Sequence, residues 1–423
     1  MAARVETQVL VVGAGPVGLS AALRLAQAGI AVEVIDEHWR PAGHSYALGL
    51  HPASLALLDE VGIAEELIAA GVRVPSMSLF ERRERRAQIP LGEGAKFPFA
   101  LSLPQSELEA RLAVRVEGMG VRVRWNHRLA GLEPGPRGMN ARVDRLVKES
   151  GGYAVAHTTW VVDKTIEFAA EFILGADGHR SMVRRNLGIP FEETGASRVF
   201  AVCECDLDRS VGTELRLVLE GEHVSAMWPL PEGRARWSVE LPTAQPPTVR
   251  LTDRHKSRLS TRVGEGFYEH LDEAELRAVL VDRAPWFEPL FAGLGWTIEV
   301  RFERRLAARI GQDRTWLAGD AVHLTGPVGM QSMNGGLREA SQLAAAIAKI
   351  LRGQEGMTVL PEMAARTLAE WRFLQGNAGG LRTTSATPPF VREHADRLLP
   401  CLPGTGDELV ALADRLGLTA ERG

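Results

Sequence analysis

The sequence predicts an α/β protein in which a largely parallel sheet with helices is interwoven with a second, mixed-sheet domain and followed by C-terminal helices. The chain opens as a buried strand, a glycine-rich turn, an Ala/Leu-rich helix and a second strand, an order that places parallel strands side by side. Alternating apolar and polar residues between positions 121 and 306 indicate antiparallel strands. Segments that could complete the first sheet come only after these, so long insertions must connect the two domains.

Length and charge limit the class of protein. The chain has 423 residues, enough for two or three domains, and its 45% hydrophobic and 24% charged content is that of a soluble globular protein. Lys and Arg number 49 against 53 for Asp and Glu, a formal net charge of -4, which argues against a nucleic-acid partner. The densest basic run, Glu81–Arg86, contains two acids and is expected to be a solvated strand or turn.

Three cysteines, Cys203, Cys205 and Cys401, match no metal-site spacing and no redox pair. Cys203 and Cys205 lie two positions apart, which on a strand places them on one face. We therefore expect a reduced, cytoplasmic protein. Because no run of about 18 uncharged apolar residues occurs, no membrane span is expected, and the acid-bearing N-terminus predicts no signal peptide.

The first 120 residues are predicted to alternate strands with helices. Pro16 is tolerated early in the first helix and Gly29 ends that helix. In a later helix, Ser106 is a plausible N-cap and Glu109 its capping-box partner. The expected strands span residues 8–15 and 30–37, and the expected helices span residues 16–29, 50–71 (one or two helices) and 103–120.

The remaining elements extend this plan. Hairpins are expected from residue 121 to 174, and strands at 198–242 and 297–306 flank a helical insertion at 272–287. Apolar residues at helical spacing predict a long helix from Leu337 to Leu351. The predicted division is a discontinuous first domain at 1–75, 100–190 and 295–352, a second domain at 76–99 and 191–294, and a helical C-terminal segment at 353–423.

The first motif is GAGPVG, between the opening strand and helix. Gly13 permits the tight turn, Gly15 lets the backbone approach a pyrophosphate, and Gly18 lets helix and strand pack closely. Asp36 follows 23 positions after Gly13, where an acid can bind a ribose 2'-hydroxyl and repel a 2'-phosphate. The motif predicts a Rossmann-like site for FAD or NAD, whereas a glycine turn without a ligand is the plain alternative. Neighbouring residues of the same site are Pro16, Val17 and Glu37.

Two later motifs each follow a predicted strand. ILGADGHRSMVR carries Asp177, for which an ordinary Asp-Gly turn is the plain alternative. TWLAGDAVH ends its strand at Asp320, where an acid can bind a sugar or phosphate hydroxyl. The loop GPVGMQSMNGG, residues 326–336, then leads backbone N–H groups to a helix N-terminus. Taken alone, this loop could be a flexible linker or a rigid loop shaped around a flat ligand.

Together the three motifs resemble those of the single-component FAD-dependent aromatic hydroxylases, of the para-hydroxybenzoate hydroxylase type. That family carries GxGxxG, then GADGxxSxVR, then GDAAHxxPPxGGQGxN, and the resemblance covers roughly residues 8 to 352. Three ordered motifs at matching spacing are highly specific. The segment LPQSELEARL resembles the family helix that lends a glutamine, here Gln105, to the flavin side. Matching positions of the later motifs are Gly175, Asp177, Gly178, Ser181, Val183, Arg184, Gly319, Asp320, Ala321, His323, Pro327, Gly329, Gln331 and Asn334.

The resemblance implies a non-covalent FAD. Its ADP half would lie against the first motif, its ribityl chain at Asp320, and its ring edge along the loop from Pro327 to Asn334. Asp177 lies in a motif associated with both FAD and NAD(P)H. The cofactor residues implied in full are Gly13, Gly15, Pro16, Val17, Gly18, Asp36, Glu37, Gln105, Asp177, Gly319, Asp320, Gly329, Met330, Gln331, Ser332, Met333 and Asn334. The catalytic flavin-ring loop would comprise Pro327, Gly329, Met330 and Gln331.

The resemblance also implies the chemistry. NAD(P)H would reduce the FAD, O2 would form a flavin hydroperoxide, and an electron-rich aromatic or polyketide-like molecule would be hydroxylated. The site must exclude water but needs no metal or nucleophilic triad. Substrate contacts are assigned to Tyr46, Trp228 and Pro327, although a core role is favoured for Trp228. The histidines near the motifs, interpreted as structural or hydrogen-bonded, are His44, His51, His179 and His323.

Two departures from the family pattern stand out. Tyr46 and Ala53 occupy the places of two arginines in the segment SRALGLHPRSLELL, and Met330 and Ser332 add bulk where relatives have GGQG. Two alternatives therefore stay open: an FAD-dependent dehydrogenase or reductase without oxygen insertion, and a non-catalytic flavin- or ligand-binding protein. The chain is expected to be a monomer or homodimer that acts in secondary metabolism.

Overall fold

The computed structural model describes residues 4–38, 47–151, 157–242 and 273–422. His44 and Tyr46 lie outside these ranges. Helices of this described part are α1 (Pro16–Gln27), α2 (Pro52–Glu60), α3 (Ala64–Ala70), α4 (Gln105–Gly118), α5 (Met182–Asn186), α6 (Glu273–Arg283), α7 (Gln331–Leu351), α8 (Val359–Leu374), α9 (Pro389–Leu398) and α10 (Asp407–Arg415). Within the described ranges, none of the helices combines the length and apolar character needed to cross a membrane.

The strands form two large sheets and two small ones. In chain order they are β1 (Arg4–Val12), β2 (Val32–Ile35), β3 (Gly49–Leu50), β4 (Val72–Val74), β5 (Ser76–Glu81), β6 (Glu84–Pro90), β7 (Ala100–Ser102), β8 (Val123–Arg124), β9 (His127–Gly135), β10 (Gly138–Gly151), β11 (His157–Gly175), β12 (Phe191–Leu207), β13 (Glu214–Glu220), β14 (His223–Leu230), β15 (Arg234–Leu241), β16 (Phe291–Ala307), β17 (Gly311–Gln312), β18 (Thr315–Leu317), β19 (His323–Leu324), β20 (Gly379–Thr383) and β21 (Leu418–Arg422).

The first large sheet has the order β17-β18-β11-β1-β2-β8, with β10 and β9 added beside β11. Its central strands are parallel: Val12 at the end of β1 lies opposite Ile35 of β2 and Gly175 of β11, and Gly175 lies opposite Leu317 of β18. The loops after these four strands therefore leave from one edge of the sheet. This register brings the three sequence motifs together, because each motif follows one of these strands.

The second large sheet has the order β19-β16-β12-β15-β14-β13-β5-β6 and is antiparallel except where β13 pairs with β5. Cys203 and Cys205 lie buried in one apolar cluster on β12, as their spacing predicted. Strand β16 pairs with β12 from Leu207↔Phe291 to Phe191↔Ala307. It therefore lies in the second sheet along its whole length and crosses the predicted domain boundary at residue 295. The Glu81–Arg86 run is exposed at the β5–β6 turn.

Helix α7 begins at Gln331, six residues before the predicted start at Leu337. Glycine lowers helix propensity, so Gly335 and Gly336 argued against a helix there, but tertiary packing overrides that preference. A Cβ atom at Gly336 would lie 2.7 Å from Val17 Cγ2 and 2.9 Å from Gly319 Cα. The glycine thus allows α7 to touch both α1 and the turn after β18.

Two further expectations differ from the structure. Helix α4 starts at Gln105 behind Pro104, so Ser106 lies inside the helix and forms no capping box; Glu109 instead accepts a hydrogen bond from Gln105 Nε2 at 2.6 Å. The C-terminal segment is not wholly helical, because β20 and β21, which flank α9 and α10 in the chain, pair as a two-stranded antiparallel sheet.

The variant Gly336→Ala tests the contact between α7, α1 and the turn after β18. Its new methyl group would force these three elements apart, so the free energy of unfolding should fall by about 1–3 kcal/mol. Gly118→Ala in α4 is the matched control, because a Cβ there meets no atom within 4 Å. That control should be neutral or stabilising by up to about 1 kcal/mol. Urea unfolding measures both, and equal losses would contradict the packing argument.

Candidate functional site

The glycine turn after β1 combines close packing with open space. Gly13 has a φ of 107°, and a Cβ there would lie 2.2 Å from the Ala176 carbonyl oxygen; a Cβ at Gly18 would lie 2.0 Å from the Gly13 oxygen. These two glycines are required by the fold itself. Gly15 differs, since a Cβ there would meet no described atom within 4 Å. The open space lies at the N-terminus of α1, where free N–H groups and the helix dipole favour a phosphate.

Asp36, at the end of β2, supports the same turn. Its Oδ2 accepts a hydrogen bond from the Ala14 N–H at 2.7 Å, and its Oδ1 accepts from the backbone N–H of His38 at 2.8 Å. The His38 ring nitrogen Nδ1 lies 3.0 Å from the same oxygen, and this hydrogen bond raises the pKa of His38. Both carboxylate oxygens of Asp36, for which a ribose contact was predicted, therefore already accept hydrogen bonds from the protein backbone. The neighbouring Glu37 is exposed.

Asp177 holds the N-terminus of α5. Its Oδ2 accepts from the backbone N–H groups of Met182 at 2.7 Å and Val183 at 3.1 Å. Burial raises the pKa of Asp177, and its other oxygen, Oδ1, is buried without a hydrogen-bond partner among the described residues. The carboxylate thus stabilises the turn before α5 through these hydrogen bonds. The next residues, His179 and Arg180, face the cavity described below.

Asp320 follows β18 and carries a polar chain that leads into the protein. Ser332 Oγ donates to Asp320 Oδ1 at 2.6 Å and lies 3.3 Å from His323 Nδ1. The opposite ring nitrogen, Nε2, lies 3.0 Å from Glu339 Oε1. Ser332 stands at one of the two positions where bulk replaces the family glycines, and its added hydroxyl connects Asp320 to the buried pair.

Glu339 is the buried anchor of this chain. It accepts hydrogen bonds from the Gly319 N–H at 2.9 Å and from Trp371 Nε1 at 2.6 Å, and His323 stacks on Trp371 with ring centroids 3.5 Å apart. Burial alone would raise the pKa of Glu339, but His323 and the hydrogen-bond donors together lower it. The sequence showed no acid paired with His323, because the partner lies 16 positions away on a helix.

The loop between Pro327 and Asn334 is held from behind rather than being a free linker. Gln331 points away from the cavity, and its Nε2 donates to the carbonyl oxygens of Leu399 at 2.9 Å and Leu402 at 3.2 Å. Asn334 donates to the carbonyl oxygens of Gly49 and Met330 at 2.8 Å and 2.7 Å.

Met330 is the residue of this loop with a left-handed backbone, at φ 52°. Such a conformation is strained for a side chain larger than glycine, so the surrounding contacts must hold it. Its side chain and that of Trp228 both approach Gly49. Trp228 is 1% exposed and lies in the core behind Met330 rather than on the cavity wall.

A cavity of about 820 Å³ lies where the motif edge of the first sheet faces β12 and β16 of the second. Residues of the second sheet line it, including Arg301 and Phe302 on β16, which the sequence could not assign because the facing side of that strand was unknown; Arg180, in the turn after β11, lies on the opposite wall. Predicted residues on its wall are Gly15, Pro16, Val17, Gln105, Asp320, Pro327, Met330, Ser332 and Met333. Predicted residues outside its wall are Gly13, Gly18, Asp36, Glu37, Asp177, Gly319, Gly329, Gln331, Asn334 and Trp228.

These features fit FAD. The volume lies in the range of cofactor-sized sites. The open space before Gly15 suits a pyrophosphate, and Asp320 stands at a strand end where a sugar-type hydroxyl can be bound. Among the described residues, no group of three or more His, Cys, Asp or Glu is placed to hold a metal ion.

Residues 6–372 match the family model described as FAD binding domain, FAD_binding_3. The chain belongs to this family. It is 29% identical over 371 residues to 6-methylpretetramide 4-monooxygenase from Streptomyces rimosus, covering 85% of this chain and 59% of the relative. It is 26% identical over 370 residues to para-nitrophenol 4-monooxygenase from Pseudomonas sp. (strain WBC-3), covering 84% of this chain and 81% of that relative.

Solved structures show the same fold. Similar structures include p-nitrophenol 4-monooxygenase PnpA from Pseudomonas putida DLL-E4, with a TM-score of 0.70 at 20% identity over 98% of this chain and 99% of the other. A second is aklavinone-11 hydroxylase with FAD and aklavinone, with a TM-score of 0.67 at 24% identity over 96% and 72% of the two chains. The predicted α/β fold class, the resemblance to FAD-dependent aromatic hydroxylases and FAD as the cofactor are confirmed.

Glu339→Gln tests the buried anchor. The variant should lose about 2–4 kcal/mol of unfolding free energy near pH 7, because three donors lose a charged acceptor. The pKa of Glu339 is lowered from 4.5 on folding, so the stability that it contributes is present above about pH 4.5 and is lost as the pH falls further. The difference in unfolding free energy between the wild type and the variant should therefore become smaller below about pH 4.5.

The control for this variant is Glu362→Gln, an exposed change on α8. It should shift the free energy of unfolding by no more than about 0.5 kcal/mol at any pH. Denaturant unfolding across the pH range measures both variants. A gap for Glu339→Gln that stays constant in acid would contradict the ionised state assigned to this carboxylate.

Proposed function

We propose that the chain is an FAD-dependent monooxygenase that uses NAD(P)H and O2 to hydroxylate an aromatic or polyketide-like small molecule. The cavity between the two sheets is the observation that carries this proposal. One wall contains the strand ends and glycine turn suited to the cofactor, and the other contains residues of the second sheet. A cofactor and an organic substrate can therefore lie in contact inside one space, as oxygen transfer between them requires.

The proposed reaction is balanced as follows. NAD(P)H gives two electrons and, with a solvent proton, two hydrogens; O2 accepts them; one oxygen atom enters a ring C–H bond as hydroxyl, and the other leaves as water. The bound FAD supplies this electron and oxygen-transfer chemistry. Names of the relatives above support oxygen insertion over the two alternatives, since each is a monooxygenase. The substrate class is taken from the same names and from the mixed apolar and polar wall.

The chain's own residues would bind and orient the cofactor. Gly15 and the first turn of α1 would hold the phosphates, and Asp320, with Ser332 hydrogen-bonded to it, would hold the hydroxyl-bearing chain of the cofactor. Pro327 and Met330 would form the wall beside the ring. Apolar side chains such as Phe302 on β16 would help to keep water from the reacting atoms.

The decisive experiment separates three outcomes in the purified holoprotein. Anaerobic mixing with NADH or NADPH measures reduction of the FAD, and aerobic turnover with isotopically labelled O2 is followed by mass spectrometry. A panel of phenols and polycyclic aromatic polyketides provides the substrates. A product that carries one labelled oxygen supports the proposal. Reduction without labelled product would indicate a reductase, and no reduction by either nicotinamide would indicate a non-catalytic protein.

Met330→Gly tests the loop as part of the ring wall. Glycine accepts the left-handed backbone at φ 52°, so the fold and FAD affinity should be kept, with a change in Kd below about threefold. Removal of the side chain from the cavity wall should raise the fraction of NAD(P)H oxidised to H2O2 several-fold, because water reaches the reacting atoms.

The matched variant Met330→Leu keeps the bulk and should stay close to wild type in coupling. Peroxide yield per NAD(P)H consumed and FAD fluorescence titration measure the two effects. Weakened FAD binding with unchanged coupling in Met330→Gly would argue against placing this loop beside the ring.

A further inference from the structure

The C-terminal turn, residues 399–408, packs against the back of the cofactor loop. The Gly329 N–H donates to the Pro400 carbonyl oxygen at 3.2 Å, and Gln331 Nε2 donates to the Leu399 oxygen at 2.9 Å. A Cβ at Gly329 would lie 2.7 Å from the Pro400 oxygen. The loop therefore takes part of its shape from a chain segment that follows the matched family region, which ends at residue 372.

A buried histidine and a partly buried glutamate face each other at a second point between these segments. His51 is fully buried, and its Nε2 lies 2.9 Å from the Gly329 carbonyl oxygen. Because a carbonyl can only accept, Nε2 carries the ring proton and Nδ1 is an acceptor. Nδ1 lies 3.9 Å from Glu408 Oε2 on α10, and neither atom has a hydrogen-bond partner among the described residues.

The protonation of Glu408 decides what these two facing atoms do. An ionised Oε2 presents a lone pair to the lone pair of Nδ1, which is repulsive. A neutral Glu408 can donate its O–H to Nδ1 after an approach of about 1 Å. The chain of donors would then run from Glu408 through His51 to the carbonyl of Gly329. Burial makes the difference between these two states large, because little solvent screens them.

We propose that Glu408 and His51 are positioning residues of the cofactor loop. A neutral Glu408 donates a hydrogen bond to His51, and His51 in turn holds the Gly329 carbonyl in place. The position of that carbonyl sets the orientation of Met330 relative to the flavin ring. This inference rests on the proposed placement of the ring beside the loop. It predicts a loop that is tighter when Glu408 is neutral than when it is ionised.

The surroundings of Glu408 place its ionisation near neutral pH. Burial raises the pKa of Glu408 to about 7, against smaller opposing contributions from the Ala53 N–H, Arg338 and the Thr405 backbone. Arg338 on α7 is paired with Glu370 of α8 at 2.7 Å, so it compensates Glu408 only in part. Burial likewise lowers the pKa of His51 to about 3, so this ring stays neutral throughout. The hydrogen bond from Glu408 to His51 should therefore order the loop at pH 6, and its loss should make the loop more mobile above pH 8.

The test is hydrogen–deuterium exchange of the FAD-loaded protein between about pH 6 and about pH 8.5, expressed as protection factors for the amides of residues 326–334. In the wild type, protection should fall at least about threefold with a midpoint near pH 7. Glu408→Gln carries a neutral amide that can donate at every pH, so its protection should stay high and flat. Asp407→Asn, an exposed change one residue away on the same helix, is the matched control and should behave as the wild type.

A second measurement needs no variant. The visible absorption spectrum of the bound flavin in the wild type should change with the same midpoint near pH 7, since the loop lies beside the ring. The proposal is overturned if Glu408→Gln keeps the wild-type pH profile, or if the wild-type spectrum and protection factors do not change across this range. Neither readout measures hydroxylation, so a failure of the proposed monooxygenase activity alone would leave these results intact.

Discussion

Backbone contact without intervening side chains is the constraint on which the site depends. At the carboxyl edge of the parallel sheet, Gly13 lies against Ala176, Gly18 lies against Gly13, and Gly336 lies against Gly319. A Cβ at Gly13, Gly18 or Gly336 would meet a neighbouring backbone or side-chain atom at less than 3.0 Å. Because of this close approach, three turns from distant parts of the chain meet at a single edge, while the space beside Gly15 at the start of the first helix stays open.

A second level of order comes from buried polar groups. Glu339 gathers the Gly319 N–H, Trp371 Nε1 and the His323 ring, and Ser332 carries the chain on to Asp320 at the cavity. The buried members, Glu339 and His323, would be costly to bury without their partners. The acid at the strand end therefore has its direction set from the interior, which preorganises it toward a ligand.

The cavity belongs to both sheets. One wall carries residues of the family motifs, and the other comes from β12 and β16. The loop that joins the walls is supported from behind by the C-terminal turn, through Gln331 and Gly329. The C-terminal segment thus contacts the loop directly, and the proposed link between Glu408 and the flavin ring depends on these contacts.

The sequence by itself determined the α/β class, the order of the elements and the three glycine-containing turns, because strand and helix periodicity and glycine placement are local properties of the chain. It also located Asp320 and the loop that reaches the cavity. Only the tertiary structure decided where side chains point. Gln331 and Asn334 turn away from the cavity, and Asp36 accepts a hydrogen bond from the glycine turn after β1. His323 lies beside Glu339 on α7. The tertiary structure also decided the register of β16 and the early start of α7. Both depend on partners far away in the chain, which local spacing cannot specify.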